Sequence, residues 1–187
     1  CFSFYPTKNL GALGDGGLVT TSNKQLAKKV NRIRQYGWNK KRDIAYIGFN
    51  SRLDEIHANI LSVKLKYLDE DNNRRKKLAK YYLQNLNPKK FKLPKTSENS
   101  EHVYHLFVVQ TKKRNQLIRR LKDKKIYLGI HYKKAVHQEK AYAKFCKIPK
   151  GGLKNTDKII PKIVSLPMYP QLKFKEIKHI CRILNEE

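Results

Sequence analysis

The sequence has 187 residues, and its 42 lysines and arginines against 15 aspartates and glutamates give a formal net charge of +27. Its hydrophobic fraction of 40% excludes a chain that is disordered throughout. No apolar run reaches the length of about 18 residues that a transmembrane helix needs, so no membrane span is predicted. The three cysteines have no C-x-x-C spacing, which argues against a disulfide framework or a metal site and fits a reducing cytoplasm.

The positive charge by itself suggests an anionic partner such as nucleic acid or a membrane surface. The lysines are spread over predicted helix surfaces and loops, however, without an arginine-rich arm or a zinc-finger or RNA-recognition signature. A solvated basic surface, with neither nucleic acid nor membrane as partner, is therefore the simpler interpretation. A positive field would still attract a small anionic substrate.

The chain begins with a predicted β-hairpin. An apolar and aromatic run at 2–5 is followed by Pro6, which ends the strand because it lacks a backbone donor. A glycine-rich loop at 11–17 then leads to a second β-prone run at 18–21. Lys8 lies where the first strand ends, and is either a solvated loop charge or an amine that is held for chemistry.

Helical spacing follows the hairpin. Asn23 can cap a first helix, and Gly37 lies where its C-terminal cap is predicted. Ser51 is predicted to begin a second helix, because S-x-x-D up to Asp54 resembles a capping box. The apolar stripe of that helix breaks at 69–73 and then resumes, which predicts a long helix or a kinked pair.

Strands and helices alternate in the rest of the chain, which predicts a small α/β domain. We place the domain boundary after Leu68, so that residues 1–68 end a first domain and residues 69–187 form a second. Strands are predicted at 103–110, 126–131 and 165–170, and helices at 114–125, at 157–164 with an interruption at Pro161, and at 174–184.

Four sequence blocks resemble, in the same order, the DegT family of sugar-nucleotide aminotransferases, which are pyridoxal-phosphate enzymes of the aspartate-aminotransferase fold (fold type I). The block SFYPTKNLGALGDGG at 3–17 resembles the family's lysine motif nearly residue for residue. Family members are about twice as long, with the lysine near their middle, so the resemblance implies an α/β fold that is the C-terminal half of a fold type I transferase. The other blocks are GFNSRLDEIHANIL at 48–61, GIHYKKAVHQEKAY at 129–142 and SLPMYPQL at 165–172.

The resemblance implies that Lys8 is the catalytic lysine. Pyridoxal 5'-phosphate needs an amine that forms an imine with its aldehyde, and Lys8 is the lysine in the matching context. Its amine would also move the proton between the donor carbon and the cofactor. The residues that pair with and stack on the cofactor ring lie in the other half of the family's sequence, so residues 1–187 alone are expected to be inactive.

Two further site residues are implied by the same resemblance, and Arg52 is a third candidate. Ser3 lies where the family uses a hydroxyl to bind the cofactor phosphate, although it could be a strand serine facing solvent. Asn50 lies where an asparagine reaches the phosphate in the neighbouring subunit, which implies a homodimer with shared active sites; the alternative is a turn asparagine. Arg52 could hold a substrate carboxylate or phosphate, or be solvated in the first turn of a helix.

His131 and Tyr132 end a predicted strand in the family's HY block, where the nucleotide-sugar is expected to enter. The sequence departs from the family pattern here, because Lys133 replaces the usual proline. His57 and Asn59 also stand where the family commonly has glutamine and alanine. These departures affect the predicted details of substrate binding more than the cofactor chemistry.

The resemblance thus implies an aminotransferase that acts on a nucleotide-linked keto-sugar with glutamate as the amino donor, in polysaccharide, glycan or deoxyaminosugar biosynthesis. Two other functions stay open. One is a dehydratase or regulatory relative, although a dehydratase of this fold has histidine where this chain has Lys8. The other is a basic binding module without catalytic activity.

Overall fold

The computed structural model describes residues 1–186. The chain divides into two compact units, Cys1–Asp71 and Asn72–Glu187. The assignment of residues 1–68 to a large cofactor-binding domain and of residues 69–187 to a small domain stays a prediction. No helix in the described part of the chain is long and apolar enough to cross a membrane.

The first unit begins with the predicted β-hairpin. Strand β1 (Phe2–Ser3) pairs antiparallel with β2 (Gly17–Leu18). Both strands are shorter than the predicted runs, because the backbone turns into the loop at Phe4. The N–H of Phe4 donates to the carbonyl of Gly16 (2.8 Å), and its carbonyl accepts from the N–H of Ala12 (2.7 Å). The loop is thereby closed on itself.

Helix α1 (Lys24–Ile33) has the predicted N-terminal cap. The side chain of Asn23 accepts from the backbone N–H groups of Gln25 (2.9 Å) and Leu26 (3.1 Å). The predicted C-terminal cap is wrong, because the C-cap is Arg34 and Gly37 lies three residues beyond it.

A kinked pair, α2 (Glu55–Leu65) and α3 (Leu68–Asn85), follows as predicted. The predicted start at Ser51 is wrong, because the N-cap is Asp54, whose carboxylate accepts from the N–H of Ile56 (3.0 Å). The break also lies earlier than predicted. Residues 69–73 are helical, and three of them are acidic residues in the first turn of α3. The positive end of the helix dipole stabilises their carboxylates there.

The second unit contains a two-stranded antiparallel sheet of β3 (Phe107–Gln110) and β4 (Ile163–Leu166). Isolated bridges flank it on both sides, Lys92 with Gln110 and Gly129 with Ser165. The predicted strand at 126–131 is therefore wrong, since only the bridge at Gly129 forms there. The helices of this unit after α3 are α4 (Arg114–Asp123), a 3₁₀ turn (Val136–Gln138), α5 (Lys140–Ala143), α6 (Lys154–Ile159) and α7 (Phe174–Asn185).

The predicted helix at 157–164 is also wrong in its second half. α6 ends at Ile159, and the chain then enters β4, whose residues Val164, Ser165 and Leu166 are buried. Pro161 lies between the two elements and disfavours a continuous helix because it has no N–H group. The predicted strands at 103–110 and 165–170 are correspondingly shortened and shifted to the ranges of β3 and β4.

The core of the second unit forms between α3, the sheet and α7. Tyr82 is fully buried, and its hydroxyl donates to the carbonyl of Pro167 (3.0 Å). Buried Arg75 donates to the carbonyls of Tyr104 (3.3 Å) and Met168 (3.0 Å). Burial raises the pKa of the Cys181 thiol to about 12, so this thiol is a protonated part of the core at neutral pH. Other core residues are Leu78, Ala79, Phe107, Val109, Leu121, Val164, Ile177 and Leu184.

Phe107→Ala is expected to lower the free energy of unfolding by about 3–5 kcal/mol, because the side chain is fully buried and its removal leaves a cavity. Phe145→Ala is the matched control, since Phe145 is 73% exposed. Urea unfolding of the full-length protein that carries this sequence measures both. Equal losses for the two variants would contradict the core described here.

Candidate active site

The turn after β1 places Lys8 through the backbone of Tyr5. The carbonyl of Tyr5 accepts from the N–H of Lys8 (2.9 Å), and the N–H of Tyr5 donates to Oγ of Ser3 (3.3 Å). Tyr5 is therefore hydrogen-bonded to both Ser3 and Lys8, two of the predicted site residues. The side chain of Lys8 is half-buried, whereas Ser3 is exposed.

Close backbone packing supports this turn from behind. A Cβ atom at Gly11 would lie 2.4 Å from the carbonyl oxygen of Pro6 and 2.9 Å from that of Tyr5. Real Cβ atoms do not approach backbone oxygens this closely, so glycine is required at this position. The glycine loop thus packs directly against the segment that carries Lys8.

Helix α2 and the residue before its N-cap hold the rest of the glycine loop. Leu53 lies against Gly16, and the imidazole of His57 lies against Gly14. The ammonium group of Lys64 donates to the carbonyl of Gly11. In the order of these three contacts, the loop residues run backwards along the chain (16, 14, 11), whereas their partners run forwards (53, 57, 64). The loop therefore lies antiparallel to α2, with His57 and Lys64 two helical turns apart on one face.

His57 and Lys64 were missed as supporting residues by sequence reasoning. In the sequence His57 is only a departure from the family pattern, and Lys64 cannot be distinguished from a lysine on a solvated helix face, although the structure has it half-buried. The available signal was their separation of seven residues, which places two side chains on the same face of a helix. That signal does not say which segment the face contacts.

Asn50 and Arg52 lie at a different place in the first unit. Both line an open cleft of about 1160 Å³ together with Arg34, Asp15 and residues of β2. Asn50 forms an isolated antiparallel bridge with Gln35. Neither Ser3 nor Lys8 lines this cleft. Ser3 and Lys8 thus share hydrogen bonds with Tyr5, whereas Asn50 and Arg52 share the lining of one cleft.

Arg52 is exposed and has an aromatic neighbour. Its guanidinium carbon lies 5.3 Å from the ring centroid of Tyr36, a cation–π geometry. The ring of Tyr36 in turn lies 4.8 Å from that of Trp38. The aromatic pair positions the arginine at the edge of the cleft, where its donors stay available to an anion.

His131 and Tyr132 belong to the second unit. The predicted strand does not form there, and the imidazole of His131 is instead within 2.9 Å (Nδ1 to Oγ) of the buried hydroxyl of Ser165 in β4. Tyr132 is 73% exposed, with its ring 5.8 Å from that of His131. Ser165 therefore orients the histidine, while the tyrosine side chain is open to a ligand.

A second substitution, His57→Ala, is expected to compensate for Gly14→Ala but not for Gly11→Ala. A Cβ at Gly14 would lie 2.6 Å from the His57 ring, so removing the ring restores the space, whereas the clash at Gly11 is with backbone and has no such relief. Each glycine substitution should cost about 1–3 kcal/mol, the usual cost of overpacking.

Hydrogen exchange at the Ala12 amide measures this effect, because that amide donates to the carbonyl of Phe4 across the loop. Protection should fall in both single variants and recover in Gly14→Ala/His57→Ala only. Recovery of Gly11→Ala by the same second substitution would contradict the packing of the loop.

Comparison with known proteins gives a consistent result. The DegT/DnrJ/EryC1/StrS aminotransferase family profile matches residues 1–185. A dTDP-3-amino-3,6-dideoxy-alpha-D-galactopyranose transaminase of Aneurinibacillus thermoaerophilus is 42% identical, over 98% of this chain and 54% of its own. The chain spans about half the length of the curated relatives it matches.

Solved structures agree with the sequence comparison. Streptomyces venezuelae DesV, in complex with a ketimine intermediate, matches with a TM-score of 0.92 and 38% identity, over 99% of this chain and 50% of its own. NtdA from Bacillus subtilis, with bound cofactor PMP, matches with a TM-score of 0.85 and 30% identity, over 97% of this chain and 44% of its own. The predicted fold class is confirmed, and the chain belongs to the DegT/DnrJ/EryC1/StrS aminotransferase family.

Proposed function

We propose that the full-length protein that carries this sequence is a pyridoxal-phosphate-dependent aminotransferase of a nucleotide-linked keto-sugar, with glutamate as the amino donor. The observation that carries the proposal is the position of Lys8, in the family's lysine motif and on a turn that backbone hydrogen bonds and close glycine packing hold in place. A solvated lysine would not need this support. The proposed location is the cytoplasm.

The residues of this turn fit the cofactor. When bound, pyridoxal phosphate supplies an aldehyde that reacts with amines and a ring that accepts electrons. Lys8 offers the primary amine that such an aldehyde requires. Oγ of Ser3 accepts the N–H of Tyr5, so its own hydroxyl proton can be donated to a phosphate oxygen.

Lys8 would act as general acid and base once its amine is exchanged for that of the donor. The amine would then be free to take a proton from the carbon of the amino donor and to give it to the cofactor. This role needs an amine that stays within reach without being bound, and the fixed backbone of Lys8 provides it. Ser3 would hold the phosphate end, two residues before the carbonyl that positions Lys8.

A homodimer with shared active sites is part of the proposal. Asn50 and Arg52 line a cleft that excludes Ser3 and Lys8, so a role for all four in one reaction is simplest if the two pairs come from different copies. Large apolar side chains on this unit are also exposed and need cover, among them Ile47 (95% exposed), Ile56 (69%) and Phe49 (67%).

The substrate part of the proposal rests on charge and on the second unit. The net charge of +27 favours the approach of an anionic nucleotide diphosphate. Arg52 would bind a carboxylate or phosphate of a substrate, and the exposed Tyr132 beside the oriented His131 would contact the nucleotide-sugar.

Lys8→Ala is expected to abolish the visible-violet absorbance band that the full-length protein gains with pyridoxal phosphate, because this band requires the covalent link to the lysine amine. Turnover with a nucleotide-linked keto-sugar and glutamate should fall by at least about 10²–10⁴-fold. Lys147→Ala, an exposed loop lysine, is the control and should keep both signals.

Absence of the band from the unsubstituted protein would contradict the proposal. Salt-sensitive binding to heparin without any absorbance change would then favour the basic binding module.

Mixing two inactive variants tests the shared site. Chains with Lys8→Ala and chains with Asn50→Ala are each expected to have little activity as homodimers. In a mixed dimer one of the two sites would have both native residues, so random assortment should restore about a quarter of the native sites. Activity no higher than the sum of the separate variants would contradict a site shared between subunits.

A further inference from the structure

A lysine-rich cleft lies entirely within the second unit. Its volume is about 500 Å³, inside the range of about 300–1,000 Å³ that is typical of small-molecule sites. The segment 88–92, the end of β3, the start of α4 and Lys162 form its main walls. None of the six residues proposed above for the transaminase lines it: Ser3, Lys8, Asn50, Arg52, His131 and Tyr132.

The cleft is strongly positive. Six of its twelve lining residues are lysines, and no carboxylate of residues 1–186 is among the others. Lys90 is held in place, because its ammonium group donates to the carbonyl of Asn185 (2.7 Å). In the part of the chain that the structure describes, no ion pair involves Lys92, Lys112 or Lys162. Lys92, Lys112 and Lys162 repel one another in the cleft, and an anion would relieve this repulsion.

Helix α4 adds to the positive potential. Its first turn contains no acidic residue, and the N-cap position, Lys113, makes no side-chain hydrogen bond to the helix N-terminus. The positive end of the helix dipole is thus left for other partners. Lys112 and Lys113 line the cleft at this end of the helix.

Thr111 gives an independent indication of a ligand. It lines the cleft and is only 9% exposed. Its Oγ accepts from the N–H of Lys113 (3.4 Å), but within residues 1–186 its own hydroxyl donates no hydrogen bond. Buried donors are almost always paired. An anionic oxygen in the cleft would pair with this hydroxyl.

We propose that this cleft binds a small ligand with a di- or triphosphate group. Several lysines are suited to several negative charges, because each acts as a compact point charge for phosphate. The apolar floor of the cleft consists of Pro88, Phe91, Leu117 and Leu184, of which the exposed Pro88 offers contact surface to an uncharged part of the same ligand. The proposal is independent of the transaminase activity proposed above.

A nucleic acid fits the cleft less well. The lysines surround a concave site, whereas single-stranded nucleic acid needs an open groove with aromatic platforms on which bases stack. Phe91 is the aromatic residue of the cleft, and at 3% exposure it has no free face for stacking.

Calorimetric titration with sodium tripolyphosphate tests the proposal on the full-length protein saturated with pyridoxal phosphate, so that the cofactor's phosphate site is already filled. The cleft variant is Lys92→Gln/Lys112→Gln, and the control is Lys147→Gln/Lys150→Gln in an exposed loop, with the same loss of charge. At about 150 mM NaCl, which screens distant charges, the cleft variant should weaken binding at least tenfold and the control less than twofold.

Thr111→Val separates contact from general electrostatics, since it removes the hydroxyl without changing the net charge. It should weaken tripolyphosphate binding by about fivefold, the effect of one hydrogen bond of about 1 kcal/mol. Unchanged affinity in this variant would contradict a ligand bound at the hydroxyl.

The source of the phosphates is tested with two further probes. Tighter binding of uridine triphosphate than of tripolyphosphate, lost in the cleft variant, would support a nucleotide ligand that uses the apolar floor. Equal binding of both would support recognition of the phosphates alone. The proposal is overturned if the cleft variant and the control variant lose the same affinity for tripolyphosphate, or if the unsubstituted protein binds tripolyphosphate with no Kd below about 10 mM. It is also overturned if duplex DNA or phosphatidylglycerol vesicles bind and tripolyphosphate does not.

Discussion

The position of Lys8 depends on the closure of one backbone loop. Phe4 makes two hydrogen bonds across this loop, to Gly16 and from Ala12, and Tyr5 makes two more that fix Ser3 and Lys8. Three of these four bonds join main-chain atoms, so side-chain substitutions leave them in place unless they push the strands of the loop apart. The fourth, from the N–H of Tyr5 to Oγ of Ser3, needs the serine side chain. The amine that we propose to react is thereby attached to a turn that hydrogen bonds hold in place.

The turn that carries Lys8 also requires space for close packing against the loop, and the glycines provide this space because they have no side chain. Gly11 contacts the backbone of Pro6, while Gly14 and Gly16 lie against side chains at His57 and Leu53. A larger residue at Gly11 would move the segment that carries Lys8, because the opposing atoms are backbone. The glycine-rich composition of the motif is thus explained by packing, which differs from the phosphate-cradling use of glycines in nucleotide-binding loops.

The basic side chains of this protein have two different structural roles. Lys64 and Arg75 are built into the units, where they donate to backbone carbonyls and connect segments that are distant in the sequence. Among the lysines of the cleft in the second unit, Lys90 has such a role, whereas Lys92, Lys112 and Lys162 have none within residues 1–186. A net charge of +27 is therefore not simply a solvated surface, because part of it is concentrated where an anion would be bound.

The sequence by itself determined the family, the fold class and the local features that depend on neighbouring residues. The Asn23 cap, the kinked helix pair and α7 were predicted, because capping and helical periodicity are short-range properties. Lys8 and Ser3 could be chosen for the same reason, since their motif is continuous, and their roles stay predictions.

The tertiary structure alone decided the features that depend on distant partners. Gly129 forms one bridge to Ser165 instead of a strand, and residues 163–166 form a strand because Phe107–Gln110 pairs with them from more than fifty residues away. Asp54 rather than Ser51 caps α2, a choice that two nearby capping residues leave open in the sequence. The contacts of His57 and Lys64 with the glycine loop, and the cleft that Asn50 and Arg52 line together, likewise follow from packing. Spacing places residues on a face, but only the folded chain determines what that face contacts.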